Sequence, residues 1–125
     1  MSGPPDDGKS VPIDRSILAV LTGGDPLVER RMLAVLRKAN NADAAALREA
    51  VERQDIVSIT RASHRMMGAS RLAGATTLAD ICATIARAGP AGDWDTIAAN
   101  RAALDRELDR VNDYLDMQLR DPQSQ

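Results

Sequence analysis

Aspartate opens four of the five stretches in which apolar residues recur at helical spacing: Asp14, Asp25, Asp55 and Asp93. A carboxylate just ahead of a helix accepts hydrogen bonds from the first backbone N–H groups, which have no partner inside the helix. Pro26 follows Asp25 and takes the first helical position, where a missing N–H costs nothing. Stops are marked as well, by Gly23-Gly24, by Gly74 and by the run Gly89-Pro90-Ala91-Gly92. Alanine is abundant, β-branched runs are absent, and phenylalanine does not occur, so the fold class is all-α with an aliphatic core. A chain of 125 residues suits one domain, able to bury about two thirds of its unfolded surface.

Taken in order, residues 1–12 are rich in Pro, Gly, Asp and Ser and read as a flexible tail or the end of a linker. A short first helix runs from Asp14 to about Leu21, with Ile17, Leu18 and Leu21 inward. The second is long, to about Arg53. Its expected inward positions are Val28, Met32, Val35, Leu36, Ala39, Ala46, Leu47, Ala50 and Val51, and Asn40-Asn41 is a weak spot that is expected not to break it. The third runs from Asp55 to Gly74. The fourth runs from about Thr76 to Ala88, with Leu78, Ile81, Cys82 and Ile85 inward and a turn at 89–92. The fifth runs from Asp93 to about Gln118 along a seam of Trp94, Ile97, Leu104, Leu108, Val111 and Leu115. Its Arg/Asp/Glu run from Arg101 to Asp113 reads as a solvated face, with like-charge neighbours such as Asp105–Asp109 and Arg106–Arg110. Residues 119–125 form a polar tail. Long helices with short connections predict an antiparallel up-down four-helix bundle over 13–118, the short first helix covering one end.

The third helix carries the one histidine of the chain, His64. At 100° per residue, Ile59, Ser63, Met66, Ser70 and Ala73 make one stripe of apolar and small residues on the side away from it. Val57, Thr60, Gly68 and Arg71 fall within about 40° of His64, and Arg61 at about 60°. The imidazole therefore points off the core stripe. Gly68 lies one turn beyond it, where glycine costs about 1 kcal/mol relative to alanine. That glycine serves either a close helix contact or the approach of something to His64.

The segment His64-Arg65-Met66-Met67-Gly68-Ala69-Ser70, followed by Gly74-Ala75-Thr76-Thr77-Leu78, resembles the signature of histidine-phosphotransfer (HPt) domains. The resemblance extends from about Asp14 to Leu115, through Gly23-Gly24-Asp25 and Gly92-Asp93-Trp94, and is most similar to the C-terminal HPt modules of unorthodox hybrid sensor kinases. It implies a phosphorelay intermediate in two-component signal transduction: His64 accepts a phosphoryl group from a receiver-domain aspartate and passes it to a second receiver, the response regulator. It implies too that Mg²⁺ and the catalytic machinery belong to the receiver, so that the chain itself is a carrier, not an enzyme, and needs no cofactor. The family usually has lysine three residues after the histidine, where this chain has Met67; Arg71 and Arg61 are the candidates to supply that charge. Gly68 would let the partner approach, and Val57, Met67 and Leu72 are the expected receiver-docking residues.

The rest of the sequence excludes competing chemistries. Imidazole offers a neutral ring nitrogen near pH 7, a competent nucleophile toward phosphorus. The chain has no GxxxxGK[ST] loop, no nucleotide-binding glycine pattern and no acidic cluster that reads as a magnesium site. His64 also lacks the adjoining Glu/Asp and downstream proline typical of a histidine-kinase dimerisation helix. One Cys and one His cannot build a Cys/His zinc site, and Cys82 reads as a small buried hydrophobe. A net charge of −2 argues against nucleic-acid binding. No apolar run reaches membrane-spanning length and the start lacks a signal-peptide core, so a monomeric cytoplasmic domain without membrane contact is expected, as a free chain or as the cytoplasmic end of a membrane-bound sensor kinase. Two alternatives remain open: a receiver-docking module of the same fold that takes no phosphate, and an unrelated helical scaffold.

Overall fold

A computed structural model describes residues 11–120; most of the two expected tails, at 1–10 and 121–125, lies outside the described residues. Five helices follow in order: α1 (Arg15–Thr22), α2 (Pro26–Glu52), α3 (Ile56–Ala73), α4 (Thr76–Ala91) and α5 (Trp94–Arg120). No strand occurs among the described residues. The aspartate caps form as expected. Asp14 accepts from Ser16 N at 3.0 Å, Asp25 from Leu27 N at 2.9 Å, Asp55 from Ser58 N at 3.1 Å, and Asp93 from Thr96 N at 3.1 Å. Hydrogen bonds from Ser16, Ser58 and Thr96 hold the Asp14, Asp55 and Asp93 carboxyls below the usual carboxylate range.

The bundle is the antiparallel four-helix arrangement of α2–α5. Its register is written in cross-helix polar pairs. Arg37 meets Asp116 at 2.6 Å, Asn112 donates to Asn41 at 2.9 Å, and Arg48 faces Asp105 at 3.7 Å, so numbers rise along α2 as they fall along α5. Arg65 to Asp43, at 3.1 Å, sets the antiparallel register of α3 on α2. α1 lies across one end. Asp14 N donates to Gly74 O at 2.8 Å, and Arg15 reaches Tyr114, Gln118 and Glu29. Gly74, at φ +88°, allows this contact, because a Cβ there would stand 2.4 Å from the Asp14 carbonyl oxygen. Arg30 donates to the Gln118 and Leu119 carbonyls, groups that the end of α5 leaves without helical partners.

The core holds Leu18, Leu33, Leu36, Leu47, Ile59, Met66, Leu78, Cys82, Ile85, Leu108, Val111 and Leu115, all essentially inaccessible. Several sequence expectations need correction. On α2, Val28, Val35 and Ala46 are exposed, while Leu33, Asn40 and Ala44 face inward. Two overlapping apolar rows compete on that helix. The buried row runs through 33, 36, 40, 44, 47 and 50, and it takes in the polar Asn40. α2 does run unbroken through Asn40-Asn41. On α1, Leu21 is exposed and Thr22 takes the inward place, its hydroxyl donating to Leu18 O. α4 does not stop at Ala88. It continues through Gly89 and Pro90 to Ala91, and the left-handed residue is Gly92, at φ +66°. Proline is tolerated there because only the final turn loses a hydrogen bond. On α5, Glu107 departs from the expected solvated face: it is buried, with Arg110 at 2.7 Å.

Candidate functional site

α3 is fixed at both ends, by the Asp55 cap and by Gly74, and along its length by the buried stripe Ile59, Ala62, Ser63, Met66, Ser70 and Ala73. Ser63 satisfies its hydroxyl within the helix by donating to Ile59 O at 2.7 Å. That burial leaves one direction for the remaining side chains. His64 stands exposed on the outer face, as its place off the core stripe predicts.

The neighbours of His64 on that face divide into two groups. Val57 is 65% exposed and Leu72 61% exposed, and both project as large apolar side chains into solvent. Met67 is half-buried and packs against the core, so it presents only part of its surface. Gly68 is a right-handed helical residue, and a Cβ placed on it would meet nothing within 4 Å. Of its two expected roles, the close helix contact is therefore not the one the packing shows; the space above Gly68 is open. The close contact belongs to Gly89 on α4, where a Cβ would come within 2.5 Å of Thr60 Oγ1.

Charge on α3 has one sign. The helix carries Arg61, Arg65 and Arg71 and no Asp or Glu. Arg65 is held by Asp43 of α2. Arg61 and Arg71 are exposed and, among the described residues, have neither an ion-pair nor a hydrogen-bond partner. Arg71 lies seven residues after His64, about 10 Å along the axis, and points to nearly the same side.

One part of the surroundings comes from outside the residues singled out by sequence. Beside His64 a shallow concavity of about 550 Å³ runs along the N-terminal half of α3, walled by Ile56, Val57, Thr60 and Arg61 and closed by Pro90 of α4. The signal for it was the Gly89-Pro90 pair, which reads as a turn but is the last turn of α4 brought against Thr60. The larger part of that wall is apolar. Cys82 lies inside the bundle, its thiol pushed up to about 12 chiefly by burial, and takes no part in this face. No described helix is long and apolar enough to cross a membrane.

Comparison with known proteins agrees with this geometry. A family model described as the Hpt domain matches residues 31–114, which span most of α2, all of α3 and α4, and most of α5. No curated protein matches. Among solved structures, histidine-containing phosphotransfer protein B (HptB) from Pseudomonas aeruginosa PAO1 is similar at a TM-score of 0.80 and 19% sequence identity, covering 87% of this chain and 95% of that one. At that identity the likeness speaks for the fold, and it extends the match to most of the chain. The chain belongs to the Hpt domain family.

Proposed function

We propose that the chain is a phosphorelay carrier in which His64 accepts a phosphoryl group from the aspartyl phosphate of a receiver domain and returns it to the aspartate of a second receiver, a response regulator. Family membership brings histidine phosphotransfer in two-component signalling, with receiver domains as partners. The observation that carries the finer assignment is that the one histidine of the chain stands exposed on α3, opposite the buried stripe, with open space over Gly68 one turn away. The step balances within the two proteins. A lone pair on the outer imidazole nitrogen attacks phosphorus, the P–O bond to the aspartate breaks, and the carboxylate leaves with the electron pair. Reversal regenerates an aspartyl phosphate. Mg²⁺ and the groups that polarise the phosphoryl oxygens belong to the receiver, so the chain acts as a carrier and needs no cofactor of its own. We place it, by the resemblance of its motif, with the modules of hybrid sensor kinases, acting in the cytoplasm as a monomer.

In this reading Gly68 gives access, Val57, Met67 and Leu72 meet the receiver, and Arg71 with Arg61 faces the new charge. The test is transfer of radiolabelled phosphoryl groups from a panel of phosphorylated receivers to the wild type and to His64→Gln. Acid-labile label on the wild type and none on the folded variant is expected. Label undiminished on the variant overturns the acceptor assignment. Tight receiver binding without any label on the wild type would instead favour a docking module that takes no phosphate.

A further inference from the structure

Thr60 carries a hydroxyl that the packing of α3 does not explain. Thr22, Ser63 and Thr84 satisfy their hydroxyls by donating to the carbonyl four residues earlier, on Leu18, Ile59 and Asp80. Thr60 makes no such bond to Ile56. Its Oγ1 is buried and, among the described residues, has no hydrogen-bond partner. It lies against Gly89 of α4, so close that a Cβ there would come within 2.5 Å of it. A polar group buried in this way forfeits the hydrogen bonds that water would give it. Asn40, Ser70, Glu107 and Asn112 also hold unpaired buried polar atoms, but Thr60 alone among these residues lines the concavity beside His64.

His64 follows Thr60 by four residues, about 40° around the helix. Helical side chains lean toward the N-terminus, so the imidazole covers the turn that holds Thr60. Cβ atoms at this spacing stand about 5–6 Å apart, a gap that a hydroxyl on one side and Nδ1 on the other close to hydrogen-bond length. Both residues line the same concavity. α3 has no Asp or Glu to hold the ring instead.

We infer that Thr60 is a positioning residue: its hydroxyl oxygen accepts from His64 Nδ1–H when the exposed ring turns onto it, which leaves the lone pair on Nε2, facing outward. The inference rests on the carrier reading and deepens it by naming what sets the tautomer of the nucleophile. Neutral imidazole has one N–H and one lone pair, and the hydrogen bond made at one nitrogen decides which of them the other carries. Without such a bond the proton of a histidine favours Nε2, where it blocks attack from outside. Acceptance at Nδ1 moves the proton inward and gives the buried oxygen the partner it lacks. After phosphorylation at Nε2, Nδ1 keeps its proton and the same bond holds the ring.

Thr60→Val removes the hydroxyl at nearly constant shape, Thr60→Ser restores it, and Thr84→Val is the control for losing a helical hydroxyl elsewhere. Nitrogen-15 spectra of the imidazole at alkaline pH, where the ring is neutral, read the tautomer directly. Phosphoramidate, a small donor that needs no docking surface, reads the nucleophile. The wild type, Thr60→Ser and Thr84→Val are expected to be mainly Nδ1–H, and Thr60→Val mainly Nε2–H. The phosphoramidate rate is expected to fall about three- to fivefold for Thr60→Val and to stay within twofold for the other two. Thr60→Val should melt no lower than the wild type, since it exchanges an unpaired buried hydroxyl for a methyl group. A wild type that is mainly Nε2–H, a tautomer ratio unchanged by Thr60→Val, or a loss in Thr60→Ser equal to that in Thr60→Val overturns the assignment. Failure of phosphoramidate and of every phosphorylated receiver to label a wild type with the expected tautomer overturns the carrier reading instead and leaves the positioning of the ring supported.

Discussion

Replacing Gly68 by glutamine should make the protein more stable and a poorer phosphate acceptor. Gly68 lies inside α3 with ordinary helical dihedrals, and a side chain built there meets open space. Glycine in a helix interior costs about 1 kcal/mol relative to alanine, and glutamine a few tenths, so the substitution should gain roughly 0.5 kcal/mol. In a domain of this size that raises the melting temperature by about 2 °C. The same side chain stands one turn from His64 on the same face, where residues at i and i+4 are neighbours. In the proposed reading it would occupy the space through which a receiver's aspartyl phosphate comes, and a tenfold loss in transfer rate corresponds to about 1.4 kcal/mol of barrier. Gly74→Ala supplies the contrast: its φ of +88° and the Asp14 oxygen 2.4 Å from the new Cβ predict a loss of stability of at least about 2 kcal/mol. Thermal melts and single-turnover transfer on the two variants check both halves. If Gly68→Gln melts lower than wild type, or transfers at the wild-type rate, the glycine is not there for access.

Three further outcomes are expected. Arg71→Ala should shorten the lifetime of the phosphorylated state or slow transfer while leaving the melting temperature nearly unchanged, since Arg71 is exposed and has no partner among the described residues, and adding Met67→Lys should restore part of the loss; equal lifetimes across several salt concentrations would refute it. The capping carboxyls of Asp14, Asp55 and Asp93 have folded-state pKa values below their unfolded ones, so their stabilisation is complete above about pH 4 and is lost as pH falls through the lowered values; the melting temperature of the wild type should drop over that window more than that of Asp55→Asn. Cys82, with its thiol pushed up to about 12, should resist alkylation by iodoacetamide at pH 8 until the protein unfolds, and label at the rate of a free thiol in denaturant.

Most helix boundaries were readable because they are set by local chemistry. An aspartate that accepts from N–H groups two or three residues on, and a glycine that takes positive φ, act within one turn, and Asp14, Asp25, Asp55, Asp93, Gly23 and Gly74 all behave as their neighbours predict. The errors lie where the outcome depends on a distant residue. Val35 and Leu33 are equally apolar, and only the placement of α3 and α5 decides which of them is covered. Glu107 belongs to a charged run in sequence, and only the bundle shows that its position faces inward. Gly89-Pro90 has turn chemistry, yet tertiary packing holds it helical because Gly89 lets α4 come against Thr60 with no Cβ between them.

The site divides along the same line. His64, Gly68, Arg61 and Arg71 share one helix, so their mutual directions follow from 100° per residue, and the structure keeps that arrangement. Nothing in the spacing of α3 could reveal Pro90, because it reaches the site from a helix that pairs with α3 antiparallel, some thirty residues later in the chain. Nor could spacing tell that Arg65 is engaged by Asp43 while, among the described residues, Arg61 and Arg71 have no ion-pair or hydrogen-bond partner. The distinction matters chemically. An arginine already bonded to a carboxylate, as Arg65 is to Asp43, must break that bond to meet a phosphoryl group. In the proposed reading the charge that the usual lysine would bring at the position of Met67 comes from Arg71 and Arg61 instead, and the three arginines of α3, with no Asp or Glu on that helix, give its face a positive potential.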